Sequence, residues 1–528
     1  MSRARNSAVN VQCHRVLTLM TRAALSPSWC SWRGKCTASW AMMPIRRFRR
    51  VPFVVSTLSV AGVLLVLHAC TERSTAPRAS GDPLTDMLGA PFSGEWSPVF
   101  SAPIVQLHLH LLPNGSVLSW GHAGDPQIWD PATGTFTAVP SPSLLFCAGH
   151  DFLSDGRLLV AGGHIGDGLG LPNTNLFDPA TGSWQVGPPM AKGRWYPTNT
   201  MLANGEVLTL AGTDESGIDV PIPEIWDGTS WRELTGASLA LPYYPRSFLA
   251  PDGRVFYAGE DQQSRYLDVT GIGSWTDGPV RTYPSRDYGS AVMYEPGKIL
   301  YVGGGDPPTN TAEIIDLNDP TPAWRSTGSM AFARRQMNAT LLPTGDVLVT
   351  GGTTGPGFNN PVGAVHAAEL WNPATGLWTR LASNAVVRIY HSTSLLLPDG
   401  RVLHTGSGDG AGAANELNYE LFSPPYLFMG PRPTITGAPP GTVTYGQTVV
   451  VETAYAASIT KVSLIRFGSV THAFDQAQRF VPLSFSQALG GLSIEIPASR
   501  TAAPPGPYLL FLVNKLGVPS AGQIIRLH

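Results

Sequence analysis

The chain has 528 residues, of which 14% are charged, with a net charge of −2 and as many as 57 Gly and 47 Pro. That balance offers nucleic acid no electrostatic footprint. So many chain-breaking residues argue against long helices and for a turn-rich all-β protein with room for one large domain and another beside it.

Residues 1–70 read as a leader. Cys13, Cys30 and Cys36 fall in a stretch without periodicity over 1–42, consistent with an overextended start and Met43 as the true initiator. Arg46, Arg47, Arg49 and Arg50 then precede the apolar run VPFVVSTLSVAGVLLVLHA, the pattern of a secretory signal. Leu67-His68-Ala69-Cys70 resembles a bacterial lipobox, whose cysteine becomes a lipidated first residue. The expectation is an exported, cell-envelope lipoprotein, with plain secretion or a single-span anchor as the alternatives. Residues 71–95, rich in Ser, Thr, Pro and Arg, are expected to be a flexible tether.

Residues 96–428 carry a repeat. Its phrases are LLPNGSVLSWG, FLSDGRLLVAGG, MLANGEVLTLAG, FLAPDGRVFYAG, YEPGKILYVGG, LLPTGDVLVTGG and LLLPDGRVLHTGSG. Each reads strand, turn, strand, with the glycine supplying the positive φ of a hairpin. The turn glycines are Gly115, Gly156, Gly205, Gly253, Gly297, Gly345 and Gly400, at intervals of 41 to 55 residues. Repeats of about 40–50 residues with several short strands predict propeller blades, here seven of the kelch kind. Third-strand phrases such as IWDPATGTF, LFDPATGSW and LWNPATGLW put Phe136, Trp184 and Trp378 between neighbouring blades; blades 4 and 5 look degenerate in their outer strands. Residues 429–528 hold short alternating strands, among them TVVVETA, ITKVSLIRFG and YLLFLVN, which predict an immunoglobulin-like (early-set) β-sandwich.

The repeat phase singles out a set of side chains. Nine residues before each turn glycine stand Gln106, Cys147, Tyr196, Tyr244, Tyr288, Gln336 and His391, with Tyr390 just before the last. In a closed radial array equal phase means equal height around one axis, so a thiol, phenols and an imidazole would share one level. With the leader gone, Cys147 is the only cysteine of the folded body. A lone buried Cys is ordinarily a small hydrophobe; one level with Tyr196 on the next blade allows a covalent pair.

RIYHSTSLLLPDGRV (388–402), KVSLIRFGSVTHAFDQAQRFVPL (461–483) and PYLLFLVNKLGVPSAGQIIRL (507–527) resemble the galactose oxidase and glyoxal oxidase family of copper radical oxidases, as do LFCAGHDFLSDGRLLVAGG and GRWYPTNTMLANGEVLTLAG. The resemblance spans nearly all of 96–528. It implies a Cys147–Tyr196 thioether, copper held by Tyr196, Tyr390, His391 and His472, Tyr390 as general base, and Tyr288 around them. Imidazole and phenolate suit Cu(II), and the metal depresses a phenol pKa that is ordinarily about 10. Two-electron alcohol oxidation needs a second electron beyond copper's one, which an oxidisable thioether-substituted Tyr196 provides. The expected partners are an alcohol or aldehyde substrate and O2, with no nucleic acid, acting on a monomer.

The chain also departs from the family pattern. Asp214 falls where galactose oxidase stacks a tryptophan on the cross-linked tyrosine, and Trp195, next to Tyr196, should point to the opposite face of a regular strand. The Arg-Trp-Tyr phrase is reminiscent of glyoxal oxidase, and the N-terminal carbohydrate-binding sandwich of galactose oxidase has no room between Cys70 and the first blade. His150 and His164 read as surface groups, His108, His110, His122 and His404 carry no assigned role, and a Gly/Asn/Pro-rich insertion before His366 is expected to overhang the central mouth. A copper oxidase of alcohols or aldehydes is the leading reading. The other is a non-catalytic, surface-anchored kelch propeller binding carbohydrate or protein.

Overall fold

The computed structural model describes residues 89–410 and 412–528. The leader, the Cys70 lipobox and most of the 71–95 tether lie outside the described residues.

Among the described residues, seven antiparallel sheets of four or more strands follow one another between Glu95 and Ser423, with a small two-stranded sheet (His164–Gly166 and Leu169–Gly170) beside the second, and each repeat phrase supplies the first two strands of one of the seven. LLPNGSVLSWG forms His108–Leu111 and Val117–Trp120; LLLPDGRVLHTGSG forms Ser392–Leu396 and Val402–Gly406. All seven turn glycines have φ between 77° and 95°, the left-handed region that a side chain resists. The sheets are the blades of a β-propeller. The fourth and fifth, degenerate in sequence, still pair in full four-strand order, although one outer strand runs for twelve residues (Ser274–Ser285) and another is only Arg325–Ser326.

Packing between blades is aromatic, as the third-strand phrases predict. Trp184 Nε1 donates to Val139 O at 3.0 Å and Trp378 Nε1 to Gly328 O at 2.7 Å, each on the preceding blade. Phe136 meets Tyr419 of the last sheet, with ring centroids 6.2 Å apart. The ring closes because Glu95–Trp96 and Phe100–Ser101 pair with Asn418–Ser423, so N-terminal strands complete the last sheet. The last residues of the expected tether therefore form a helical turn, Ala90–Ser93, and the start of that closing strand.

From Thr442 on, a five-stranded sheet (Thr442–Val443, Gln523–Leu527, Gly506–Asn514, Ile459–Arg466, Phe480–Leu483) faces a three-stranded one (Thr448–Glu452, Gly491–Glu495, Phe485–Ala488). Val449, Val451, Leu464, Ile494 and Leu510 lie in the core between them, and Thr448–Glu452 alternates exposed and buried along its length. That alternation is how a sandwich strand buries one face.

One hairpin leaves this second part and enters the first. Ser469–Thr471 pairs antiparallel with His108–Leu111 and turns back through Phe474–Asp475, becoming the innermost strands of the first blade. Beyond it, Gln476 Oε1 accepts from His150 N and Asn199 N, and Gln478 bonds Leu341 N and Ala339 O. The segment is thus anchored to blades on several sides.

Candidate metal centre

Six of the seven residues picked out by the repeat phase, all but Gln106, share a backbone peculiarity. Cys147, Tyr196, Tyr244, Tyr288, Gln336 and His391 all have positive φ, from 46° to 67°. A non-glycine residue held there is strained by roughly 1 kcal/mol or more. The compensation is a chain of hydrogen bonds around the axis: Tyr196 N donates to Cys147 O, Tyr244 N to Tyr196 O and Gln336 N to Tyr288 O, each at 2.9 Å. Buried arginines fix the same segments from behind. Arg194, Arg286 and Arg334, each two residues before a phase residue, and Arg388, three before His391, ion-pair with Glu224, Glu313, Glu369 and Glu420 of their own blades. Breaking a buried pair of this kind typically costs about 3–5 kcal/mol.

These constraints bring the expected ligands together. Tyr196 Oη lies 2.7 Å from Tyr390 Oη and 3.4 Å from His391 Nε2. His391 Nδ1 donates to Gly408 O at 2.6 Å, which leaves Nε2 as the bare nitrogen. The fourth group, His472, sits with Ala473 in the two-residue loop of the inserted hairpin, both at positive φ as a primed turn requires. Its ring centroid is 4.4 Å from that of Tyr196 and 4.6 Å from that of His391. His472 Nδ1 contacts Thr471 Oγ1 at 2.6 Å, while Nε2 is buried without a hydrogen-bond partner. An orphaned buried nitrogen carries a penalty of roughly 1–3 kcal/mol, which a metal would lift. Among the described residues no three of His, Cys, Asp or Glu stand together as a metal site; half of this donor set is phenol.

Electrostatically the set is neutral without a metal. Burial raises the Tyr196 phenol far above its usual range, with Cys147 and Tyr390 adding to it. Burial and then Tyr288 do the same to Tyr390. Burial takes His391 down to about 3, and burial followed by the His391 charge lowers His472 strongly. A dication among these atoms reverses the preference for the phenols. Cys147 is a free, fully buried thiol packed with Tyr196, Tyr244 and Phe146, and burial raises its pKa.

Several expectations need correcting. Trp195 does not point away: its ring stacks on Tyr196 with centroids 3.7 Å apart and an 8° interplanar angle. The left-handed φ of Tyr196 breaks the strand alternation that would have sent it to the other face. Trp195 Nε1 is held by His164 Nδ1 at 3.1 Å, while Asp214 only closes a turn through Ser216 N and Ile218 N. His150 and His164 are buried, not surface groups. His108 accepts from Cys147 N at 3.2 Å and its Nδ1 meets His150 Nε2 at 2.9 Å; His150 Nδ1 in turn meets Ser469 Oγ at 2.6 Å. That relay ties the backbone of Cys147 to the strand leading to His472. Tyr244 stacks on His472 at 4.6 Å, and Tyr288 stands edge-on to Tyr390 at 5.5 Å.

Other site residues escaped sequence reasoning. The insertion before His366 does reach the mouth, where Phe358 packs on Tyr390 at 4.7 Å and on Tyr288 at 5.8 Å. Arg335 secures that loop by donating to Gly357 O at 3.1 Å and pairing with Asp306 and Asp287. Beside the centre opens a cavity of about 510 Å³ with Tyr196, Tyr244, Tyr288 and His472 in its wall. The Arg placed two residues ahead of the phase residue in GRWY, SRDY and ARRQ was the one sequence signal available for the arginine frame.

Comparison with known proteins agrees with this architecture. Residues 305–426 match the family described as Glyoxal oxidase N-terminus, and residues 432–527 the Galactose oxidase-like, Early set domain. A galactose oxidase of Gibberella zeae (strain PH-1) is 31% identical over 490 residues, covering 83% of this chain and 71% of its own. Aldehyde oxidase GLOX of Vitis pseudoreticulata is 30% identical over 445 residues, 72% of this chain and 82% of its own. Among solved structures, a fungal alcohol oxidase of the AA5 family in complex with copper superposes with a TM-score of 0.76 at 25% identity, covering 82% of this chain and 99% of that one. Propeller, inserted hairpin and extent of likeness together place the chain in the galactose oxidase and glyoxal oxidase family of copper radical oxidases.

Proposed function

We propose that the chain is an exported copper radical oxidase that oxidises a primary alcohol or aldehyde with O2 and releases H2O2. The observation that carries this reading is the convergence of two phenols and two imidazoles around the unpartnered Nε2 of His472. Tyr196, Tyr390, His391 and His472 would hold the ion, a nitrogen and oxygen set that Cu(II) favours. When bound, copper supplies one-electron redox chemistry and lowers the pKa of both phenols.

The rest falls to the chain's own groups. Cys147, packed against Tyr196, would join it by a thioether: the thiol S–H and the ring C–H ortho to the hydroxyl are lost, one S–C bond forms, and two electrons pass to O2. Tyr196 then stores the second electron equivalent that oxidation of an alcohol needs. Tyr390 Oη accepts the proton of the substrate hydroxyl as general base, and Tyr196 Oη accepts the hydrogen from the reacting carbon. Trp195 stacked over Tyr196 and Phe358 packed against Tyr390 would limit the access of water to the two rings.

The test uses copper-loaded protein. It should release H2O2 with members of an alcohol and aldehyde panel, and its mass should fall short of the sequence by two hydrogens through a Cys147–Tyr196 peptide. Cys147→Ser should bind copper as tightly as the parent and lose most turnover. Equal turnover in Cys147→Ser would sink the cross-linked cofactor.

A further inference from the structure

The cavity beside the centre is charged in one sense. Besides Tyr196 and His472 its wall includes Asp219, Glu260, Asp261 and Asp287 and a single cationic residue, Arg246. Arg246 gives its donors to backbone carbonyls: Gly289 O at 2.9 Å, Tyr244 O at 2.5 Å and His472 O at 3.4 Å. Of the four carboxylates only Asp287 has an ion pair, with Arg335. Glu260 is half-buried, and no hydrogen bond or ion pair reaches its carboxylate among the described residues. Burial and the charge of Asp287 raise its carboxyl to about 7, against the partly opposing charges of Arg246 and Arg281, neither of which forms a direct ion pair with it. Tyr243, exposed at the same mouth and edge-on to Tyr196 at 5.4 Å, adds an aromatic side.

A charge count alone does not make a site. Here the cavity does, because the same cavity is also lined by Tyr196 and His472, two residues of the proposed copper centre, so it opens onto the reacting groups. Whatever enters to meet those groups must pass three carboxylates without an ion-pair partner. A substrate carrying an ammonium group would give Glu260 a direct ion pair and would meet a π face on Tyr243, whereas a carboxylate-bearing one meets like charge.

We propose that this mouth selects primary alcohols bearing an ammonium group, amino alcohols or amino-substituted sugars, over neutral ones and above all over anionic ones, with Glu260 as the specificity-determining contact. The inference rests on the functional reading given above.

The test compares 3-aminopropan-1-ol, butan-1-ol and 3-hydroxypropanoate on copper-loaded full-length protein at low ionic strength. Affinities are measured without O2 and kcat/KM with it. The cationic alcohol should exceed the neutral one, and the neutral one the anion, by on the order of tenfold at each step, with the differences shrinking at high salt. Glu260→Gln should reduce the ratio of cationic to neutral alcohol about tenfold, and Asp261→Asn should reduce it less, since Asp261 is exposed. Equal affinities across the series, or an anion bound best, would overturn the charge selection while leaving the oxidase reading intact. Absence of H2O2 with every member would strike the oxidase reading, and the affinities would still decide the selection.

Discussion

Trp195→Phe tests the stacked pair at the heart of the site. Two stability terms are lost. The Nε1 bond to His164 Nδ1 is worth about 1 kcal/mol, and the smaller ring gives up roughly 40 Å² of apolar contact, another ~1 kcal/mol at about 25 cal/mol per Å². The copper-free variant should therefore unfold about 2 kcal/mol more easily in urea. The functional term is separate. An offset aromatic stack contributes about 0.5–1.5 kcal/mol beyond its area. If that contact favours oxidised Tyr196, its weakening should slow turnover by up to about tenfold and raise the one-electron potential of Tyr196 by at most about 60 mV. Copper affinity should not change, because Trp195 offers no donor to the ion. The assays are a urea melt, a copper titration and steady-state H2O2 release. Copper affinity falling together with turnover would refute the reasoning, since Trp195 would then be shaping the ligands and not the oxidised ring.

The adjacent pair should divide by role: His391→Ala should lose copper, whereas Tyr390→Phe should keep it and turn over about 10²–10⁴-fold more slowly, with a substrate C–H isotope effect still visible. Equal copper loss in both would make Tyr390 a plain ligand. Glu260 makes a pH prediction. Its carboxyl titrates at about 7 when folded against 4.5 as the reference value, so the folded protein holds the extra proton in that window and stability falls as pH rises from about 4.5 to 7, then levels. Glu260→Gln removes this fall, so its urea midpoint relative to the parent should be higher at pH 8 than at pH 5; an identical difference at both would count against it.

The repeat phase made the level of Cys147, Tyr196, Tyr390 and His391 readable, because a turn glycine marks the same point of every blade. It could not reveal the sign of φ at those positions, and that is why Trp195 was assigned to the wrong face. Period-2 alternation presumes extended backbone, and Tyr196 at φ 65° is not extended. The histidines failed for another reason. His108 and His150 are buried by a hairpin more than 300 residues away in sequence, and nothing local in IVQLHLH or CAGHDF announces that cover. Phe358, Glu260, Asp261 and Asp219 lie in turns and strand ends, where spacing carries no phase, whereas Arg335 and Asp287 each stand just before a phase residue but nothing in spacing announced a role for them. His472 was found through its flanking phrase alone; its place on a primed two-residue turn was visible only in three dimensions.

The inserted hairpin also fixes an order of events. The first blade lacks its innermost strands until Ser469–Asp475 has been synthesised, and the last blade can close on Glu95–Ser101 only after Ser423. Contacts this distant in sequence are paid for in loop entropy before they are rewarded, so they form late. No N-terminal fragment, however many complete blades it contains, possesses the four-membered donor set. If the four residues hold copper as proposed, the complete donor set belongs to the finished fold alone.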